Sequence, residues 1–243
     1  MTELQAIILG LVQGLTEFLP VSSSGHLAIV KEIFGLDIEN LSFEVAVHAA
    51  TVLSTIVAFR REIFDLFAGF FTFKYNSQTQ YIFKIALSMV PIFIIGVFFK
   101  EKVESIFGSG LLVVGLMLIL TAILLFLGEY LSDKQTRKLT EGVDSKLKEV
   151  GYKEAFIIGL AQSVAVLPGL SRSGSTIATG LMLGVKRESI AQFSFLMVLI
   201  PVLGEAFLEL VSGEFSVGAS GLSLSSLLLG FVSAFVSGYI ACR

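Results

Sequence analysis

From Leu111 to Leu127 no residue carries a charge, and this is only the cleanest of several apolar runs in the chain. A helix that is apolar all round cannot face water, so such a run belongs in a bilayer or deep inside a large core. Composition decides between the two: 54% of the residues are hydrophobic, 15% are charged, and mean hydropathy is +0.86. These values lie outside the range of soluble globular chains, and the expected class is an all-α polytopic membrane protein. No basic patch for nucleic acid is visible, and the net charge of −3 matters less than where the charges sit. Cys242 is the only cysteine, which excludes an internal disulfide and any CxxC or zinc pattern. A metal would be held by oxygen or imidazole. Met1-Thr2-Glu3 lacks the basic start of a signal peptide, so the first apolar segment is expected to be retained. With no Trp, an interfacial belt would have to be built from Phe and Tyr.

Taken in order, Leu4 to Leu19 predicts a helix that Pro20 stops, too short to cross a bilayer. Ser22-Ser23-Ser24-Gly25 offers caps for a second short helix from about His26 to Phe34, closed by Gly35 and the polar run Asp37 to Asn40. Two short helices meeting at a polar break predict a re-entrant hairpin. Phe43 to Phe59 is the first candidate span and ends on Arg60-Arg61, a cytoplasmic-type stop. Glu62 to Gln80 is Phe-rich and amphipathic, which predicts an interfacial segment. Tyr81 to Phe99, kinked at Pro91, recrosses; Lys100 to Gly110 is a loop. The span from Leu111 ends at Gly128-Glu129. Ser132 to Lys153 is hydrophilic, and its Lys134, Arg137, Lys138, Lys146, Lys148 and Lys153 place it in the cytoplasm. Tyr152 to Leu167 and Ser175 to Gly184 form a second pair of short apolar pieces about a Pro/Gly/Ser break, followed by Lys186-Arg187. Ser189 to Leu210, containing Pro201, and Leu222 to Ile240 are the last spans, with a loop from Ser212 to Ser220 between them.

The two broken pairs are related. Gly10-Leu11-x-Gln13 recurs as Gly159-Leu160-x-Gln162, and Ser22-Ser23-Ser24-Gly25 recurs as Ser171-Arg172-Ser173-Gly174, both at one offset without a gap. One offset shared by two matches marks an internal duplication. The basic residues place the first hairpin's entry outside and the second's in the cytoplasm, which makes the halves inverted. The expected architecture is a single membrane domain, 1–243, with repeat halves of about 1–105 and 152–243 joined by the span 111–128 and the cytoplasmic loop 130–153. Inverted repeats of this kind bring their polar breaks together near the midplane, so Ser22 to His26 and Ser171 to Ser173 are expected to face one cavity.

Gln13 and Glu17 are four residues apart, on one helical face just before the break. Glu17 is a candidate general base or ligand to Mg²⁺ or Ca²⁺, with Gln13 as a second oxygen donor; the plainer alternative is a carboxylate paired with Arg172 for structural reasons. The two serine loops present hydroxyls and backbone N–H groups at helix starts, where the dipole favours an anion. A serine run before a helix is ordinarily just a cap; two such loops facing each other, one with an Arg and one with an acid and a His, change that reading. Arg172 adds a planar cation suited to phosphate. His26 is a candidate acid or nucleophile, or a histidine satisfied by a nearby carbonyl. His48, without a companion motif, is expected to be structural, and Glu205 and Glu209 have only a minor claim on the cavity.

Together these motifs resemble the bacterial undecaprenyl-diphosphate phosphatases of the bacitracin-resistance type over nearly the whole chain. The family's E/Q-x-x-x-E motif is similar to Gln13-Gly14-Leu15-Thr16-Glu17, its serine-glycine-histidine segment to Ser22–His26, and its P-G-x-S-R-S-x-x-T motif to Pro168–Thr176. The resemblance implies a bacterial plasma-membrane enzyme that hydrolyses the lipid diphosphate to the monophosphate carrier of cell-wall synthesis, with a divalent metal and a site open to the outer face. It puts Glu17, Ser23, His26 and Arg172 at the catalytic centre and Ser22, Ser24, Gly25, Ser171, Ser173 and Thr176 around the phosphates, and leaves Ser23, His26 or water open as nucleophile. Members of the family continue through another apolar segment, whereas this chain stops at Arg243. The expected partners are the polyprenyl diphosphate, the bilayer and, as an open option, a second copy in a homodimer. A lipid-carrier transporter is the alternative function, since inverted repeats with broken helices also serve transport; a membrane scaffold would have no use for Glu17 and Arg172.

Overall fold

The computed structural model describes residues 1–36, 41–99, 110–140, 147–212 and 223–242, and the side chains of 41, 42, 138–140 and 205–212 lie outside that description. The predicted polar run at Asp37–Asn40, most of the loops at Lys100–Gly110 and Ser212–Ser220, and the side chains of Lys138, Lys146, Glu205 and Glu209 therefore fall outside the described residues. Ten helices are present among the described residues: α1 Glu3–Phe18, α2 Ser23–Ile33, α3 Leu41–Ala58, α4 Arg60–Phe70, α5 Ser77–Phe98, α6 Leu111–Thr140, α7 Tyr152–Val164, α8 Arg172–Met182, α9 Arg187–Ser212 and α10 Leu224–Ala241. The only extended pairing among them is a single bridge between Lys148 and Val185.

Among the described residues four helices are long and apolar enough to cross a bilayer: α5, α6 over Leu111–Arg137, α9 over Arg187–Gly204, and α10. Phe43–Ala58 and Arg60–Phe70 pass the same test only as a pair bent by 71°, and the bend falls at the predicted basic stop, Arg60-Arg61. The chain is an all-helical polytopic membrane protein. Pro91 and Pro201 lie inside α5 and α9. By contrast α1, α2, α7 and α8 have 16, 11, 13 and 11 residues, short of the roughly 20 that a crossing needs.

The chain forms two compact units, Met1–Arg60 with Val198–Arg243, and Arg61–Met197. In the first, α1 lies along α10 through small residues. A Cβ on Gly10 would land on the carbonyl of Gly230, and one on Gly14 would meet Ser237 Oγ and the carbonyl of Ala234. Where lipid tails are as apolar as leucine, close backbone approach of this kind is what joins helices. Phe43 of α3 fills the space over Gly230, within a core of Ala6, Leu9, Leu27, Val47, Ala50 and Ala234.

In the second unit the same device recurs. Gly159 of α7 sits against the backbone of Ser88 in α5, and Gly128 of α6 against Ala178 of α8. Gly169, at φ +87°, turns the chain between α7 and α8 against the carbonyl of Val114. The ends of the α7–α8 pair are tied by Lys148 N donating to the Gly184 carbonyl (3.1 Å) and Lys186 N to the Lys148 carbonyl (3.0 Å).

Two expectations are corrected. The hydrophilic loop expected over 130–153 is helical as far as Thr140, because α6 does not stop at Gly128-Glu129. Backbone bonding carries a helix into water as readily as through lipid when its residues are good formers. Here Arg187 also grips the extension, donating to both carboxylate oxygens of Glu129 and lying 3.9 Å from Asp133. The second helix of each pair, expected from about His26 and from Ser175, starts earlier, at Ser23 and Arg172. The first serine of each run caps the helix, so those that follow are already its first turn.

Candidate functional site

The first polar constellation lies at the α1–α2 break. Ser22 is the N-cap of α2, its Oγ accepting from Gly25 N at 3.3 Å. That cap aims the next residue, Ser23, back at α1, where its hydroxyl donates to Glu17 Oε2 at 2.5 Å. Gln13, one turn before Glu17, donates from Nε2 to the same oxygen at 2.9 Å. The carboxylate thus gathers an amide and a hydroxyl on one oxygen. Gln13 is fully buried, and its Oε1 has no hydrogen-bond partner, an arrangement that costs free energy unless a donor or cation arrives. His26 places Nδ1 2.8 Å from the Ser22 carbonyl. A carbonyl only accepts, so Nδ1 carries the proton and the neutral ring keeps its lone pair on Nε2. Ser24 is exposed and its Oγ lies 3.3 Å from that of Ser22.

The second constellation lies at the α7–α8 break. Ser171 caps α8 by accepting from Gly174 N at 3.0 Å, its own N–H donates to Thr121 Oγ1 of α6 at 3.1 Å, and its Oγ is 3.3 Å from that of Ser173. Arg172 is the first residue of α8 and is half-buried. Thr176 is fully buried: its Oγ1 is 3.0 Å from the carbonyls of Arg172 and Ser173 and 2.6 Å from Ser194 Oγ of α9. With a single proton, it donates to backbone and accepts from Ser194, fastening α8 to α9. Gln162 is fully buried with Oε1 unpartnered, and the Ser175 hydroxyl, in a side chain 3% exposed, is likewise buried without a partner.

The two breaks share their caps at the offset read from the sequence. Ser22 and Ser171 make the same cap, and the hydroxyl pairs Ser22/Ser24 and Ser171/Ser173 have the same separation, 3.3 Å. Both second helices end alike: Leu36 N donates to the Lys31 carbonyl with Gly35 at φ +61°, and Val185 N to the Gly180 carbonyl with Gly184 at φ +78°. These are paired C-terminal caps of the Schellman type. Gln13 and Gln162 occupy matching places and share the orphaned Oε1. Sequence reasoning used Gln162 only as a landmark and passed over Ser175, Thr121 and Ser194. The repeat itself was the signal for the first two, since they match Gln13 and His26; Thr121 and Ser194 come from other helices and carry no local pattern.

The structure thus brings Gln13, Glu17 and Ser23 into one hydrogen-bonded set, with Ser22, Ser24, Gly25 and His26 around it, and gathers Ser171, Arg172, Ser173 and Thr176 at the second break. These two sets belong to different compact units. Elsewhere, His48 places Nδ1 2.9 Å from the Glu44 carbonyl, and Lys31, 2% exposed, pairs with Glu44.

Comparison with known proteins gives a consistent picture. The model of the family described as bacitracin resistance protein BacA matches residues 6–243. A protein of Bacteroides fragilis named undecaprenyl-diphosphatase is 54% identical over 98% of this chain and 86% of its own length. One of the same name from Bacteroides thetaiotaomicron is 54% identical over 100% of this chain and 89% of its own length, and one from Halothermothrix orenii is 36% identical over 98% and 86%. A match of the family model across all but the first few residues, with full-length relatives at this identity, shows that the chain belongs to the bacitracin resistance protein BacA family.

Proposed function

We propose that this protein hydrolyses undecaprenyl diphosphate to undecaprenyl phosphate and inorganic phosphate, recycling a lipid carrier of cell-wall synthesis. The observation that carries the reading is the Ser23 hydroxyl donating to Glu17, a carboxylate that Gln13 holds in place, at the start of a helix. A hydroxyl bonded to a base is the pattern of an activated nucleophile. In this reading Ser23 Oγ forms a bond to the terminal phosphorus as its proton passes to Glu17. The anhydride P–O bond breaks with its electrons on the departing lipid monophosphate. Water then attacks the phosphoserine phosphorus, the Oγ–P bond breaks with its electrons on Oγ, Ser23 Oγ regains the proton held by Glu17, and inorganic phosphate leaves. His26, with Nε2 free to take a proton, serves the water step. The N–H groups at the starts of α2 and α8, with Ser22, Ser24, Gly25, Ser171 and Ser173, meet phosphate oxygens, and Arg172 offsets the charge that develops on them. Thr176 supports this loop from beneath.

A divalent cation, Mg²⁺ or Ca²⁺, fits the donors present. Glu17 and the orphaned Gln13 Oε1 are hard oxygen ligands, and Mg²⁺ in particular is often held by one or two carboxylates beside substrate phosphate. Bound there, it would supply Lewis-acid neutralisation of the diphosphate.

The reading also places the two breaks at one site, as re-entrant hairpins of an inverted repeat opening to the extracytoplasmic face of the bacterial plasma membrane. The matched caps and the matched packing glycines, Gly10 and Gly159, support the duplication. A lipid-carrier transporter needs no nucleophile, and the Ser23–Glu17 bond speaks against transport alone. A homodimer is a separate part of the proposal, read from the mass of the purified protein in nanodiscs: a single-chain mass discards it.

The test is rapid quenching with diphosphate labelled at its terminal phosphate. Label is expected on the protein in the wild type, none in Ser23→Ala, and almost no turnover in Glu17→Gln. Turnover in Ser23→Ala at the wild-type rate would remove the serine route in favour of water or His26, and full activity in Glu17→Gln would overturn the site.

A further inference from the structure

The segment from α4 to the start of α5 carries an unusual combination. Phe73 stands at φ +53°, a left-handed conformation that costs a non-glycine residue about 1–2 kcal/mol, and its side chain is 88% exposed. Strain of this sort persists when surrounding contacts offset it, and here the chain supplies almost none. Phe64 and Phe67 on one face of α4, and Phe71 just past its end, are 71%, 56% and 63% exposed, and α4 has no buried residue. The opposite face, Glu62, Asp65 and Leu66, borders a polar cavity of about 310 Å³ shared with Ser77, Gln78 and Tyr81, so the Phe stripe points away from the protein. Arg60, Arg61 and Lys74 are exposed at the two ends. Tyr75, 66% exposed, hydrogen-bonds Tyr152 OH at 2.8 Å.

We propose that α4 and the turn Phe71–Tyr75 form an interfacial anchor lying in the plane of the membrane and selective for an anionic phospholipid surface. Two features of the chain identify this occupant. The segment follows α3 at its basic end and leads directly into the crossing helix α5, so both its ends are held at the membrane–water boundary. Its residues are also sorted as that boundary requires: rings on one side, two tyrosine hydroxyls at the rim, and three cations at the ends for lipid phosphates. The bilayer takes up Phe73 and offsets its backbone strain.

The chain has no Trp, so Phe73→Trp and, on the helix itself, Phe67→Trp each introduce a lone reporter. The full chain is reconstituted in vesicles of phosphatidylethanolamine and phosphatidylglycerol containing brominated phospholipid. Both indoles are expected to emit at short wavelength and to be quenched about twofold more by bromine near the headgroup than by bromine near the acyl terminus, as for a helix seated at shallow depth. Replacing phosphatidylglycerol by phosphatidylcholine, or making Arg60→Gln, Arg61→Gln and Lys74→Gln together, is expected to shift emission toward that of indole in water. Water-like emission in the first vesicles, blue-shifted emission that bromine does not quench, or strongest quenching from the acyl terminus would overturn the proposal, pointing to solvent, a protein partner or a deep span. Equal behaviour in the two lipid mixtures would overturn the anionic preference.

Discussion

Ser22 and Ser171 begin matching helices and make the same hydrogen bond to the third residue on, yet φ is +71° at Ser22 and −68° at Ser171. The reason lies two residues earlier. Each turn uses one residue of positive φ, and in the second hairpin Gly169 takes it at +87° without steric cost. The matching residue in the first hairpin is Pro20, whose ring fixes φ near −65°. The left-handed step there falls on Ser22 instead, beside Ser23 and Glu17. The two breaks also divide their chemistry: at the shared offset Glu17 and His26 correspond in sequence to Val166 and Ser175, while Arg172 corresponds to Ser23. The two breaks share their caps, but acid and imidazole lie at one, the cation at the other, and the strain at the one that carries the acid.

Six substitutions would break or sharpen this comparison. Arg172→Ser, which gives the second hairpin the residue the first has at that place, is expected to lower phosphate release on the order of 10²–10³-fold, as removal of a charge-stabilising group does. Folding should be kept, since Ser171 still caps α8; a fall of less than threefold in initial rate, roughly the scatter of such effects, would deny Arg172 its role. Thr176→Val removes a buried hydroxyl that joins α8 to α9 and is expected to cost about 1–3 kcal/mol of stability, read as a lower midpoint of thermal unfolding in detergent; an unchanged midpoint would show that the Ser194 bond contributes little.

The strain difference gives a paired test. Ser171→Ala is expected to cost about 1 kcal/mol through the lost cap, and Ser22→Ala about as much, because alanine keeps the positive φ that serine already bears. Ser22→Gly trades the cap against relief of strain and should be nearly neutral in stability. If Ser22→Gly and Ser22→Ala lower the midpoint equally, the backbone at Ser22 is not strained.

The smallest effect concerns a tie at the end of the second hairpin. Lys186 and Ser189 donate to Glu149, and these bonds hold the Glu149 carboxyl below its ordinary range. A carboxyl depressed in the folded state stabilises above its unfolded value and loses that contribution as pH falls through the folded one. Glu149→Gln should therefore lower the unfolding midpoint slightly at neutral pH and not at all at pH well below 4, roughly the unfolded value. The pair is exposed and screened by salt; a difference that grows on acidification would reverse the assignment.

Much of the fold was legible because the decisive signals are local. Apolar run length separated the crossing segments from the short pairs, Pro20 and Gly35 marked ends, and Arg60-Arg61 marked the bend. The loop expected over 130–153 is shorter than its hydrophilicity suggests, because hydropathy reports where apolar residues end and not where a helix stops; α6 keeps its backbone bonding to Thr140, with Arg187 holding Glu129 from far along the chain. Of the site, the spacing of Gln13 and Glu17 announced their shared face. The bond from Ser23 to Glu17 was not readable, since it depends on which serine caps α2 and so on how the turn after Pro20 bends.

The amino-acid order by itself determined the membrane class, the two broken pairs, their common spacing and the residue types at each break, for these follow from hydrophobic length, caps and a shared offset. Tertiary structure alone decided that α1 lies along α10 and α7 along α5, that Thr176 is spent on Ser194, that Gln13 and Gln162 each keep a bare carbonyl oxygen, and that Ser22 carries the positive φ. Those outcomes depend on how closely backbones distant in the chain can approach, which is set by where small residues from separate helices meet.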